Sequence, residues 1–222
     1  QSIKDYDNSI LLVLSADHVI QNIDAFHKAI KLANREAESG KIAIFGIEPT
    51  HANTGYGYIK SLKDHKNGVR KVLEFVEKPD QKTAKFYFKK GGYLWNSGMF
   101  MFQSRGFIDE LTRHAPDIVT SVNHAFTKAE KDLDFIRLEK KAFEASPVIS
   151  IDYALLEKSN NVFVVPLDAN WSDIGSWSTL YDINDKDSSG NILKGDVIAE
   201  ETTNTYIYAS RHLITTFGVD NL

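Results

Sequence analysis

The chain has 222 residues, enough for one sizeable core or one domain plus part of another, and at 42% hydrophobic and 25% charged it has an ordinary globular composition. A formal net charge of −4 argues against a nucleic-acid-binding surface, and the absence of cysteine excludes disulfides, thiolate catalysis and cysteine-ligated zinc within it. No apolar run is long enough to span a bilayer and no signal peptide opens the chain, so no membrane partner is expected and the cytoplasm is the expected location.

In chain order, the apolar run at residues 10–14 predicts a buried strand. Asn22 is placed to cap a helix whose apolar face is Ile23, Phe26, Ile30 and Ala33, with Gly40 where a helix-ending glycine belongs. Residues 42–47 form a second apolar run. Strand, helix and strand in that order predict a βαβ unit, hence a parallel sheet with helices packed on it. Asp17 then falls just past the end of the first strand. Residues 48–54 read as a polar turn. Residues 56–62 and 69–76 read as strands joined by the polar segment 63–68. Asp80 is expected to cap a helix running to Gly91 and Gly92. The long apolar run 93–102 is interrupted by Asn96-Ser97-Gly98, and a mid-strand glycine predicts a bulge or a close backbone approach.

Ser104 is expected to cap a helix holding Phe107, Ile108 and Leu111, and Pro116 to open the next, with Val119, Val122 and Phe126 on one face. Phe135, Leu138 and Phe143 continue the helical pattern. Ser150 starts a short helix through Leu156, residues 162–165 form a strand, and Ser176 caps a helix holding Trp177, Leu180 and Tyr181. A polar loop spans 185–191, and the runs 197–199, 206–208 and 213–217 beyond it are strand-like. The expected division is therefore a core over 1–184 and the start of a β-rich element over 185–222.

The most telling stretch is Phe75-Val76-Glu77-Lys78-Pro79. It carries an acid and a base to the end of a strand, and proline, which cannot donate to a sheet ladder, marks the exit. Adjacent strand residues point to opposite faces, so Glu77 and Lys78 need not neutralise each other. Ligands of open α/β sheets bind at strand carboxyl ends. There a carboxylate can accept from hydroxyls and an ammonium can hold a phosphate, a combination suited to a sugar phosphate. The competing reading is a surface ion pair, which these five residues alone favour.

Other segments carry similar alternatives. Gly55 and Gly57 either let the backbone approach a ligand or enter a tight hairpin. Asn96 and Ser97 offer an amide and a hydroxyl for hydroxyl recognition, or satisfy their own bulge. Asp17 and Asp173, each beyond a strand, could together hold a magnesium ion, which takes one or two protein carboxylates and completes its shell with water and phosphates. Asp173 alone reads equally as a turn residue. The loop from Asp185 imitates a calcium-binding EF-hand, but its twelfth residue is Asp196 and a strand is expected to follow, so that reading is rejected. Asp132-Leu133-Asp134 reads as a solvated charged face, and His18 as a packing residue.

The segments Leu14-Ser15-Ala16-Asp17-His18, Gly55-Tyr56-Gly57-Tyr58-Ile59, Phe75-Val76-Glu77-Lys78-Pro79, Leu94-Trp95-Asn96-Ser97-Gly98-Met99-Phe100, Ser150-Ile151-Asp152-Tyr153-Ala154 and Trp171-Ser172-Asp173-Ile174-Gly175-Ser176-Trp177 occur in that order. Together they resemble the mannose-1-phosphate guanylyltransferases, especially the bacterial type often fused to mannose-6-phosphate isomerase. The similarity covers nearly the whole chain. Single motifs are shared with other sugar nucleotidyltransferases, while the segments around Asn96 and Asp152 are more specific to the mannose branch.

The resemblance implies an α/β fold: a Rossmann-like nucleotidyltransferase core with a mixed sheet, truncated at its N-terminus and followed by the start of a β-rich C-terminal element. It implies that Asp17 and Asp173 hold Mg2+, that Glu77 and Asn96 contact sugar hydroxyls, and that Lys78 binds the sugar's phosphate. Gly57 gives a backbone contact to the sugar and Asp152 lies near it. Lys78, Asp17 and Asp173 are the implied catalytic residues. The implied partners are GTP and mannose 1-phosphate, with a homodimer left open, and the implied products are GDP-mannose and pyrophosphate. Catalysis of that kind is in-line positioning plus neutralisation of crowded phosphates. The family's Gly-x-Gly-Thr-Arg-Leu loop and an N-terminal lysine are missing here, which implies an internal portion carrying the sugar-phosphate half of the site. Ser15 stands where the family more often has proline. The alternatives are a non-catalytic sugar-phosphate-binding or assembly module and a nucleotidyltransferase for another hexose 1-phosphate.

Overall fold

The computed structural model describes residues 3, 7–62 and 68–222. The joining segment expected at 63–68 thus lies, but for Gly68, outside the described residues. Contacts divide the chain into two compact units, Gln1–Ala16 with Ile20–Trp171, and Asp17–Val19 with Ser172–Leu222.

The first unit is built on a mixed six-stranded sheet. Its spatial order is β1 (Ile10–Val13), β6 (Tyr93–Gln103), β3 (Ile42–Ile47), β9 (Val162–Pro166), β5 (Arg70–Val76) and β4 (Tyr58–Ser61), and β6 also pairs with β4. The expected strand–helix–strand order is present, but β1 and β3 are not neighbours. The antiparallel β6 lies between them, with Ile10 opposite Gln103 and Ala43 opposite Met101. The parallel pair is β3 with β9, Ile42 facing Val162. The sequence of β6 explains its central place: it is buried along nearly its whole length, as a strand covered on both faces must be.

Alternation along β3 sends successive side chains to two cores. Ala43 and Phe45 pack with Phe26, Ala29, Ala33 and Ala37 of α1 (Ile23–Glu38). The alanine stripe lets this helix approach the sheet closely, and the Asn22 side chain caps it by accepting from the Ala25 N–H at 3.1 Å. Ile42 and Ile44 face the other way, towards Phe100, Phe102, Leu155 and Leu156. Leu111 of α3 (Ser104–His114) and Val119 of α4 (Pro116–Thr127) cover that side. α2 (Gln81–Lys90) is capped by Asp80, which accepts from the Thr83 N–H at 2.8 Å.

Two local expectations are corrected. Ser104 is the first helical residue rather than the cap, and its hydroxyl instead donates to the Asp7 carbonyl at 3.4 Å. Phe135 lies in a β-hairpin of β7 (Glu130–Asp132) and β8 (Phe135–Arg137), and the helix in this stretch is the short α5 (Lys140–Glu144). Leu133 adopts a left-handed φ of 54° between the strands, and Asp132 pairs with Arg137 across them, which outweighs the helical spacing of the apolar residues.

The second unit holds α6 (Trp177–Ile183), capped by the Ser176 hydroxyl. The three strand-like runs of its sequence merge into β11 (Ile192–Glu200) and β12 (Tyr206–Phe217), which pair parallel from Ile192 opposite Tyr206 to Glu200 opposite Phe217. The buried Asn191 amide fixes the bend between them. It donates to the Thr202 carbonyl at 2.7 Å and accepts from the Thr205 N–H at 3.1 Å. Two-residue strands β2 (Val19–Ile20) and β10 (Trp171–Ser172) form a separate small sheet. Among the described residues no helix is long and apolar enough to cross a membrane.

Candidate active site

β5 ends at Val76, so Glu77 and Lys78 lie just beyond the strand and its alternation does not govern them. Lys78 adopts a left-handed φ of 43°. The turn brings its Nζ to 3.1 Å from Glu77 Oε1, which corrects the expectation that the two side chains face apart. The pair is also not the ordinary surface ion pair. The Glu77 side chain is only 8% exposed, whereas that of Lys78 is 61% exposed. A buried carboxylate is thus held at the base of the turn, with a reachable ammonium above it.

Three more expected residues converge on this carboxylate. Gly57, just before β4, has its carbonyl bonded by the Asn96 N–H at 2.8 Å. A Cβ at position 57 would stand 2.5 Å from Glu77 Oε2 and 3.4 Å from Asn96 Cβ, so the missing side chain makes the room that Glu77 occupies. Asn96 sits in the bulge of β6, where Ile44 is opposite Phe100 but Gly46 is opposite Asn96. At this break in register the Ser97 hydroxyl donates to the Phe45 carbonyl at 2.8 Å. Asn96 Oδ1 accepts from the Gly98 N–H at 3.3 Å, and its Nδ2 donates to Asp152 Oδ1 at 3.1 Å. Asp152 opens a π-helical segment, Asp152–Leu156.

The electrostatics follow from this crowding. Burial raises the Glu77 carboxyl above the ordinary carboxylate range, and the nearby Asp152 and Glu157 add to the rise while Lys78 opposes it. Burial likewise raises Asp152, against the hydrogen bond from Asn96 and the charge of Lys78. Lys78 is raised by its hydrogen bond and charge interaction with Glu77. The arrangement offers two partly desolvated carboxylates and an amide to hydroxyl groups, and one cation to an anion.

Asp17 and Asp173 fall in the second unit. Asp17 is 86% exposed, 4.0 Å from His18 Nε2. Asp173 follows β10, and its Oδ1 accepts from the Gly175 N–H at 3.3 Å. Among the described residues no group of three or more His, Cys, Asp or Glu side chains is placed to hold a metal ion. None of the expected site residues lines the cavity of about 510 Å3 at the carboxyl ends of β3 and β9, whose walls include Ile47, Glu48, Leu94, Asp168 and Trp171.

Two residues at the site went unnoticed in the sequence. Glu157 Oε1 accepts the Glu77 N–H at 3.0 Å, and the Tyr153 hydroxyl reaches the Glu77 carbonyl at a long 3.5 Å. Tyr153 sat inside a motif that carried the resemblance, beside Asp152. Glu157 gave no signal, because an α-helical period sets residues five apart about 140° from each other.

The family described as Nucleotidyl transferase matches residues 1–190. The chain is 47% identical to "Mannose-1-phosphate guanylyltransferase RfbM" of Salmonella typhimurium over 100% of its own length and 47% of that protein's. It is 47% identical to "Xanthan biosynthesis protein XanB" of Xanthomonas campestris over 96% of its length and 45% of that protein's. The chain therefore spans about half the length of the curated relatives it matches. A solved structure described as a mannose-1-phosphate geranyltransferase from Thermus thermophilus superposes with a TM-score of 0.83 at 31% identity, covering 99% of this chain and 63% of that one. The match over residues 1–190, most of the chain, leads to one conclusion: the chain belongs to the nucleotidyl transferase family.

Proposed function

We propose that this chain carries the sugar-phosphate half of a mannose-1-phosphate guanylyltransferase site, in which an oxygen of mannose 1-phosphate attacks the α-phosphorus of GTP, giving GDP-mannose and pyrophosphate. The observation that carries the reading is the convergence of Gly57, Glu77, Asn96 and Asp152 beside the exposed ammonium of Lys78. Glu77 and Asp152 accept from sugar hydroxyls, Asn96 supplies an amide, and Gly57, lacking a side chain, makes the room in which the Glu77 carboxylate sits beside the sugar. Lys78 neutralises the sugar's phosphate, with Glu77 holding the ammonium in place. The protein's part in the chemistry is alignment and charge neutralisation.

Mg2+ belongs to the same proposal. Asp17 and Asp173 are hard oxygen donors, and Asp17 is 86% exposed and open to a ligand. Magnesium needs no more than one or two protein carboxylates, so the donor set fits. When bound, the ion would neutralise phosphate charge. Asp173→Asn is expected to raise the magnesium concentration for half-maximal turnover by at least about tenfold, measured as pyrophosphate release in a magnesium titration. An unchanged titration removes Asp173 from the metal.

The reading is tested by incubating the protein that contains this chain with GTP and a panel of hexose 1-phosphates. Pyrophosphate release with mannose 1-phosphate is the expected result. Release only with another hexose 1-phosphate, or binding without release, overturns it. The cytoplasm as location and a homodimer as assembly remain part of the proposal.

Proton release gives a second handle. Glu77 and Asp152 are raised, so below their native pKa values they hold protons that sugar hydroxyls must displace. Affinity for mannose 1-phosphate is expected to fall as pH drops through that raised range, with net proton release on binding. Calorimetry in two buffers of different ionisation enthalpy measures it. Glu77→Gln should release fewer protons than the wild type, the phosphate's own titration being common to both. Equal release excludes a carboxylate contact from Glu77.

A further inference from the structure

Asp152–Leu156 is a π-helical segment, and π turns close hydrogen bonds between residues five apart. Here the Glu157 N–H donates to the Asp152 carbonyl at 3.0 Å. The wide turn stacks Glu157 over Asp152, whereas an α-turn would swing them about 140° apart. One short segment thus aims two carboxylates at one place. Asp152 meets Asn96, and Glu157 Oε1 accepts the Glu77 N–H at 3.0 Å. That N–H immediately precedes Lys78, whose left-handed φ of 43° is costly for a residue with a side chain and persists only where its surroundings hold it. The Tyr153 hydroxyl reaches the Glu77 carbonyl from the same segment. Both of these grips on the Glu77 backbone come from the π-helical segment and its cap.

We infer that Glu157 is a positioning residue: by holding the Glu77 amide from a π-turn, it fixes the Glu77–Lys78 turn in the geometry that presents the ammonium to the sugar's phosphate. The role rests on the sugar-phosphate reading of the site. It assigns the π-turn a purpose, the coupling of the Asp152 side of the pocket to the Lys78 side. The charge of Glu157 also works against ionisation of Glu77, so its retention at this spot is a cost that the hydrogen bond offsets.

Glu157 is exposed, so its replacement leaves the core intact. The test titrates mannose 1-phosphate into the full chain by calorimetry and follows the Glu77 amide by hydrogen exchange. Glu157→Ala is expected to weaken binding about fivefold and to accelerate exchange at Glu77. Glu157→Gln, which keeps an acceptor without the charge, should stay within about twofold of the wild type on both readouts. In the active protein the alanine variant should raise KM for the sugar phosphate by a similar factor while KM for GTP stays constant. A wild type that binds sugar phosphate and an alanine variant that binds it equally overturn the positioning role alone. Failure of the glutamine variant to rescue also overturns it, since charge rather than the hydrogen bond would then matter. A wild type that binds no hexose 1-phosphate overturns the site reading and this inference together.

Discussion

Lys78→Ala is expected to weaken binding of mannose 1-phosphate by about 2 kcal/mol, roughly 30-fold in Kd, while leaving the much weaker binding of mannose nearly unchanged. The two halves of the ligand meet different groups. The ammonium is the cation of the cluster and 61% exposed, so it is within reach of a phosphate, whereas the sugar ring is assigned to Glu77, Asn96 and Asp152. In turnover the loss is expected to be larger, about 2–4 kcal/mol, because charge crowds as the phosphates meet. Equal losses for mannose and mannose 1-phosphate would take Lys78 away from the phosphate. The same variant should carry a pH-dependent stability cost. Glu77 has a native pKa raised above its unfolded value, so the folded state binds the extra proton. The contribution of this group to stability is then full at low pH and declines as pH rises from the ordinary carboxylate range through the raised value. Removing Lys78 extends that decline upward. We expect a cost of about 1 kcal/mol at pH 7.5, modest because the lysine is solvent-screened, and almost none at pH 4. Denaturant unfolding at the two pH values measures it.

Gly57→Ala is expected to cost about 1–3 kcal/mol of stability and to weaken sugar-phosphate binding about tenfold. The added Cβ would stand 2.5 Å from Glu77 Oε2 and 3.2 Å from Phe75 Cζ. Phe75 belongs to the core, so the carboxylate must give way, and with it the partner that orients Lys78. Chemical denaturation and calorimetry on the same variant check both effects. Wild-type stability together with wild-type affinity would show that the Glu77 carboxylate is not fixed by its surroundings.

Much of this was legible in the residues, and the exceptions share a physical cause. The caps at Asn22, Asp80 and Ser176 were readable because a cap is a local contest between a short side chain and orphan amides. The long apolar run of β6, broken only at Asn96-Ser97-Gly98, was visible, but not that this strand inserts between β1 and β3, since pairing is non-local. The helical spacing of Phe135, Leu138 and Phe143 was real yet overruled by the turn at Leu133. At the site, the residue types and their order pointed to Gly57, Glu77, Asn96 and Asp152, which meet. The direction of Lys78 did not follow, because periodicity ends where the strand does. Glu157 was hidden by a helix whose period is not the common one.

The parallel pairing of β11 with β12 has a kinetic meaning. Paired residues of β11 and β12, from Ile192 with Tyr206 to Glu200 with Phe217, lie close together in the chain, so closing the pair costs little loop entropy. Parallel strands in a sheet usually wait for a long crossover, whereas here the bend over 201–205, held by the Asn191 side chain, supplies it locally. Such a coil assembles and opens step by step along its axis, as stacked repeats do. Amide exchange in residues 192–217 is therefore expected to be graded from strand to strand, while the six-stranded sheet, stitched by distant segments through β6, should exchange as a single block.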